Sequence, residues 1–79
     1  MKTVKNITES EIRALRSEAN EAGDYDMGAV CDLALNGQID TDDYTVLTGG
    51  FIRELQSMTQ DEALRRVVDA INDAQAQEV

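Results

Sequence analysis

Signals that start and stop helices recur along this 79-residue chain and divide it cleanly into segments. Thr8 and Glu11 stand at the spacing of a capping box. The threonine hydroxyl takes a free N–H of the first turn, and the glutamate reaches back to the cap. Ile7 and Ile12 flank this box where a hydrophobic staple needs apolar residues. Thr59 and Glu62 repeat the grammar, with Met58 and Ala63 as the staple. Between the two boxes lie Gly23 and Asn36-Gly37, residues that end helices by taking the left-handed conformation. No proline occurs.

Apolar spacing fills in the segments between these marks. Ile12, Leu15, Ala19 and Ala22 make one helical face before Gly23. Asp24 caps a second helix, whose buried stripe is Met27, Val30, Cys31, Ala34 and Leu35. The connection Gly37-Gln38-Ile39-Asp40 is short, and Ile39 is expected to dip into the core. A third segment, capped by Asp40 or Thr41, carries Tyr44, Leu47, Phe51, Leu55 and Met58 at helical spacing straight through Gly49-Gly50. Interior glycines cost about 1 kcal/mol each relative to alanine, so this segment is a kinked helix or two helices. A strand over 44–48 is the alternative, because that run is rich in β-formers. The glycine pair is expected to permit close packing, with a hinge as the other option. The fourth helix turns Leu64, Val67, Val68, Ile71 and Ala74 inward. Residues 1–6 form a polar arm with Lys2 and Lys5, and 75–79 are expected to fray. Helices joined by such short loops pack as neighbours. The expectation is one all-α domain over 1–79, a compact bundle of four helices, or five if the third segment divides. Its core is thin for want of aromatics, so a homodimer is an open alternative.

Composition removes several functions. Asp and Glu number 16 against 7 Lys and Arg, a net charge of −9 with no histidine. Phosphate repels such a chain, so it is not expected to bind nucleic acid directly. One cysteine and no histidine leave no zinc site, no Cys–His pair and no Ser–His–Asp triad within the chain. No disulfide is possible, and the single thiol suits a cytoplasmic setting. No apolar run is long enough for a membrane span. An enzyme, a cofactor and a bound metal are therefore not expected.

The distribution of charge says more than its sum. From Ser17 to Ile52 there is no Lys or Arg, and the same stretch holds Glu18, Glu21, Asp24, Asp26, Asp32, Asp40, Asp42 and Asp43. Helix starts favour carboxylates, which explains many of the acids without any function. It does not explain the missing bases, nor Glu21 at the end of the first helix. Glu18, Glu21, Asp24, Tyr25, Asp26, Asp40, Asp42 and Asp43 are the candidate partner-binding residues. Tyr25 lies between two aspartates, as an anchor for Arg or Lys would; a packing role at the start of the second helix is its alternative. Cys31 falls on an apolar stripe and reads as a small core residue. The run from Asp32 to Asp43 has the length of an EF-hand loop, but Ala34 and Asp43 stand where a ligand oxygen and a glutamate belong. Calcium binding through a degenerate loop is thus a third reading. No serine sits in an Asp-Ser-Leu context, which removes an acyl-carrier role.

The segments Ile12-Arg13-Ala14-Leu15-Arg16-Ser17-Glu18-Ala19, Ala22-Gly23-Asp24 and Cys31-Asp32-Leu33-Ala34-Leu35-Asn36-Gly37 resemble a pattern in small proteins of phages and other mobile elements. In size and charge the chain is also similar to acidic anti-CRISPR and anti-restriction proteins. That resemblance implies a phage-encoded, stoichiometric inhibitor acting in the host cytoplasm. Its partner would be a basic nucleic-acid-handling host protein, such as a CRISPR–Cas component. The alternative from a different class is a homo-oligomeric structural or adaptor protein whose acids serve solubility.

Overall fold

The capping box at Thr8 forms as the sequence predicts. Its hydroxyl accepts the Glu11 N–H at 3.2 Å, and Glu11 Oε1 lies 3.3 Å from the Thr8 nitrogen. In this computed structural model, which describes residues 1–39 and 44–76, the box opens α1 (Glu9–Glu21). The helix stops at Gly23, at φ +80°, where the Asp24 N–H folds back to the Ala19 carbonyl at 2.8 Å. Asp24 then caps α2 (Tyr25–Asn36) by accepting the Met27 N–H at 3.3 Å. Gly37, at φ +77°, ends that helix and donates to the Leu33 carbonyl. The left-handed backbone at these two positions is what makes glycine the fitting residue. α3 (Gly49–Ser57) and α4 (Gln60–Ala76) complete an all-α bundle of four helices, with no strand among the described residues.

α2 is the centre of the bundle and packs against both α1 and α4, while α3 leans mainly on α2. The expected stripe understates its burial. Besides Val30, Cys31 and Ala34, it also buries Gly28, Ala29 and Leu33. Leu33, Leu55, Val67 and Cys31 are the largest fully buried side chains. Ile39 packs against this cluster from the connection, as expected. One side-chain bond ties the centre further: Gln60 Nε2 donates to the Ala34 carbonyl at 2.8 Å, serving an acceptor that the end of α2 leaves free.

Several expectations need correction. The third helix does not run through the glycine pair. It starts there, with Thr48 as its cap, accepting the Phe51 N–H at 3.2 Å. Residues 44–47 form a turn closed by Leu47 N–H to the Tyr44 carbonyl, so the strand over 44–48 is absent too. Glycine costs less in the first turn of a helix than inside it, and Thr48 supplies a cap where the periodicity saw a continuous face. A Cβ added at Gly49 or Gly50 would meet nothing within 4 Å, so the pair does not serve close packing. The proposed cap at Asp40 or Thr41 lies outside the described residues. Ala22 and Ala74, expected to face inward, are exposed. The expected fraying of 75–79 begins too early, because Gln75 and Ala76 belong to α4; 77–79 are outside the described residues.

The polar arm is tied down. The Lys2 N–H donates to Asn72 Oδ1 at 2.9 Å, and Asn72 Nδ2 donates back to the Lys2 carbonyl at 3.0 Å. This reciprocal pair pins the chain start to α4. α1 and α4 otherwise meet lightly and leave a groove of about 220 Å³ with Ala14, Leu15, Ile71 and Ala74 on its floor.

Candidate partner-binding surface

The turn from α1 to α2 concentrates the acids of the basic-free stretch. Glu21, Asp24, Tyr25 and Asp26 are all exposed, within six successive residues that include the end of one helix and the start of the next. Gly23 makes this possible: a left-handed residue reverses the chain so tightly that both helix ends share one corner of the bundle. Glu18 is exposed one turn earlier, on the flank of α1 that faces the α4 groove. Tyr25 lies on another flank, beside Asn20. Glu18 and Asn20 are two residues apart, hence about 160° apart around α1. The structure therefore brings Glu21, Asp24, Tyr25 and Asp26 together and sets Glu18 to one side. Asp40, Asp42 and Asp43 lie outside the described residues.

Ion pairs sharpen the picture. Lys2 pairs with Glu11 at 3.1 Å, Arg13 with Glu9, Arg16 with Asp32 at 2.6 Å, and Arg66 with Glu54 at 2.7 Å. Among the described residues none of Glu18, Glu21, Asp24 and Asp26 is ion-paired. Arg16 does reach into the acidic stretch, but the carboxylate it takes is the half-buried Asp32. That pair bolts α1 to α2 and is structural. Asp24 differs from the others at the corner, since one of its oxygens is occupied by the Met27 N–H. Its charge remains available to solvent.

Among the described residues two side chains have shifted proton affinities. The Lys2 ammonium, hydrogen-bonded to Glu11, holds that carboxyl below its ordinary 4.5, with the Thr8 hydroxyl and N–H helping. Burial pushes the Cys31 thiol up to about 11, and the neighbouring Asp32 charge adds to it. Such a thiol is a protonated core side chain at neutral pH, as its place on the stripe implied. The described half-buried carboxylates, Glu11 and Asp32, are each held by a cation, and no side-chain polar atom among the described residues is buried without a partner. Asp32 through Asn36, the first part of the loop-length run, belong to α2, and Asp40 to Asp43 lie outside the described residues.

The residue set read from sequence was incomplete on the apolar side. Tyr44 and Val46 join Tyr25 and Asn20 around one open concavity of about 420 Å³. Tyr44 is buried from its own turn, whereas Val46 is 70% exposed. An exposed valine in a turn gives no sequence signal of which neighbour it meets. Among the described residues no helix is long and apolar enough to cross a membrane. Comparison with family models, with curated proteins and with solved structures finds no match.

Proposed function

We propose that this protein is a stoichiometric inhibitor that binds a basic, nucleic-acid-handling protein and occludes its cationic groove with the acidic α1–α2 corner. The observation that carries this reading is the set Glu21, Asp24 and Asp26 at one corner, with Glu18 on the adjoining flank of α1: all exposed, all unpaired among the described residues, and set in a stretch of chain without Lys or Arg. Folding alone favours a different pattern. The C-terminal end of a helix carries partial negative charge and welcomes Lys or Arg, yet α1 has no basic residue in its last turn and ends on Glu21. Carboxylates three or four apart on a helix stand about 5–6 Å from each other. Proteins that hold nucleic acid present Lys and Arg to successive phosphates, and a rigid array of carboxylates competes for the same side chains. Binding of this kind is fast, steered by charge and weakened by salt. A phage origin for such an inhibitor follows from the resemblance in the sequence, with the target a host protein.

The test is capture of partners from a host lysate followed by competition. The reading predicts a nucleic-acid-handling protein that is released by salt, displaced by duplex DNA or RNA, and lost with the Glu21→Lys/Asp26→Lys variant. Both of those residues are exposed, so the variant should keep its fold. Recovery of only the protein's own copies would overturn it. That result would favour the second reading, a homo-oligomeric adaptor, for which the open apolar floor of the α1–α4 groove is the supporting observation.

A further inference from the structure

Three large apolar side chains are exposed among the described residues: Met1, Tyr25 and Val46. Single exposed apolar residues are common and call for no account. Here the fold brings two of the three, distant in sequence, to the wall of one concavity, together with Tyr44 and Asn20. Asn20 is set against α2 at Gly28, where an added Cβ would collide with its Oδ1. Asp24 and Asp26 immediately precede and follow Tyr25, and neither is ion-paired among the described residues.

An occupant suited to this place is apolar along its length and cationic at its tip. Lysine and arginine both have such a stem. They differ at the tip. The guanidinium is planar, weakly hydrated and stacks on aromatic rings while donating to carboxylates, whereas the ammonium is a compact and strongly hydrated point charge. We infer that the concavity lined by Tyr25, Tyr44 and Val46 receives one arginine side chain of a basic partner protein, with its stem against Val46 and its guanidinium against Tyr25 near Asp24 and Asp26. This inference rests on the acidic-corner reading and adds to it a preference for arginine that charge alone does not confer.

The test uses two probes of equal charge, a capped hexa-arginine peptide and a capped hexa-lysine peptide, titrated calorimetrically and by NMR into the whole chain. Wild type and Tyr25→Phe should bind hexa-arginine roughly three- to tenfold more tightly than Tyr25→Ala, the size of one cation–π contact. The Tyr25 ring and Val46 methyl signals should shift with hexa-arginine. Tyr25→Ala should leave hexa-lysine binding unchanged. Alanine at an exposed first helical position preserves the fold, which the NMR spectrum checks. Equal hexa-arginine affinity in wild type and Tyr25→Ala would overturn the inference, as would an equal loss for both peptides. If Glu21→Lys/Asp26→Lys still abolishes binding in that case, the acidic corner stands and only the arginine seat falls. If that variant also binds unchanged, or if neither peptide binds wild type, both fall.

Discussion

The two ends of α1 carry the same kind of residue in opposite circumstances. At its start Glu9 and Glu11 sit where the helix macrodipole favours negative charge, and each has a cation, Arg13 and Lys2 respectively. At its end Glu18 and Glu21 sit against the dipole, and no cation meets them among the described residues. The first arrangement is what stability alone would select. The second costs stability, and a cationic partner would offset that cost. Net charge treats the two ends alike, so it is the pairing that separates acids serving the fold from acids left for a surface.

Removing the tie between the two regimes should have the largest effect on stability. Arg16→Ala leaves the half-buried Asp32 without its cation, and a loss of about 1–2 kcal/mol is expected in chemical denaturation. Arg13→Ala, which breaks an exposed i,i+4 pair, should cost no more than about 0.5 kcal/mol. Equal losses would erase the distinction between structural and solvated pairs. Glu21→Arg works in the opposite direction. It puts a base at the C-terminal pole and should stabilise by about 0.3–1 kcal/mol. The same variant should weaken partner binding, so stability and function part company at this residue. A destabilised Glu21→Arg would mean that the carboxylate has a structural role.

Acid sensitivity tests the other end of α1. Glu11 has a folded proton affinity lowered by Lys2, so its contribution is present above the ordinary carboxylate range and is lost as pH falls through the lowered value. Lys2→Ala should therefore start acid unfolding at a higher pH, read by circular dichroism. The smallest effect concerns Cys31. Its thiol should resist alkylation at neutral pH and react only on unfolding. Its contribution to stability should fall as pH rises from 9 towards 11, because the unfolded thiol ionises first.

Much of this was legible from residue order because capping is local. Thr8 with Glu11, Thr59 with Glu62, Asp24 and Gly37 act on neighbours within four positions, so α1, α2 and the start of α4 followed from sequence. The third segment misled because Tyr44, Leu47 and Phe51 keep helical spacing while only Phe51 is in an α-helix and Tyr44 is in a 3₁₀ turn. A turn delivered Tyr44 and Leu47 to the same core that a helix face would have reached. α2 was read as a stripe because a stripe presumes one buried side. The telling signal was that Asp32 is the sole charge between Met27 and Asn36. The Arg16–Asp32 pair and the placing of Tyr25 and Val46 on one concavity depend on how helices and turns come together, which no local pattern records.

The most direct measurement compares two charge reversals of equal size against the captured partner. Glu21→Lys/Asp26→Lys alters the corner, and Asp69→Lys/Asp73→Lys alters an exposed stretch of α4 by the same net amount. If the corner is the binding surface, calorimetry at fixed salt should show binding abolished by the first variant and little changed by the second. Equal weakening by both would reduce the acids to bulk charge and contradict the account.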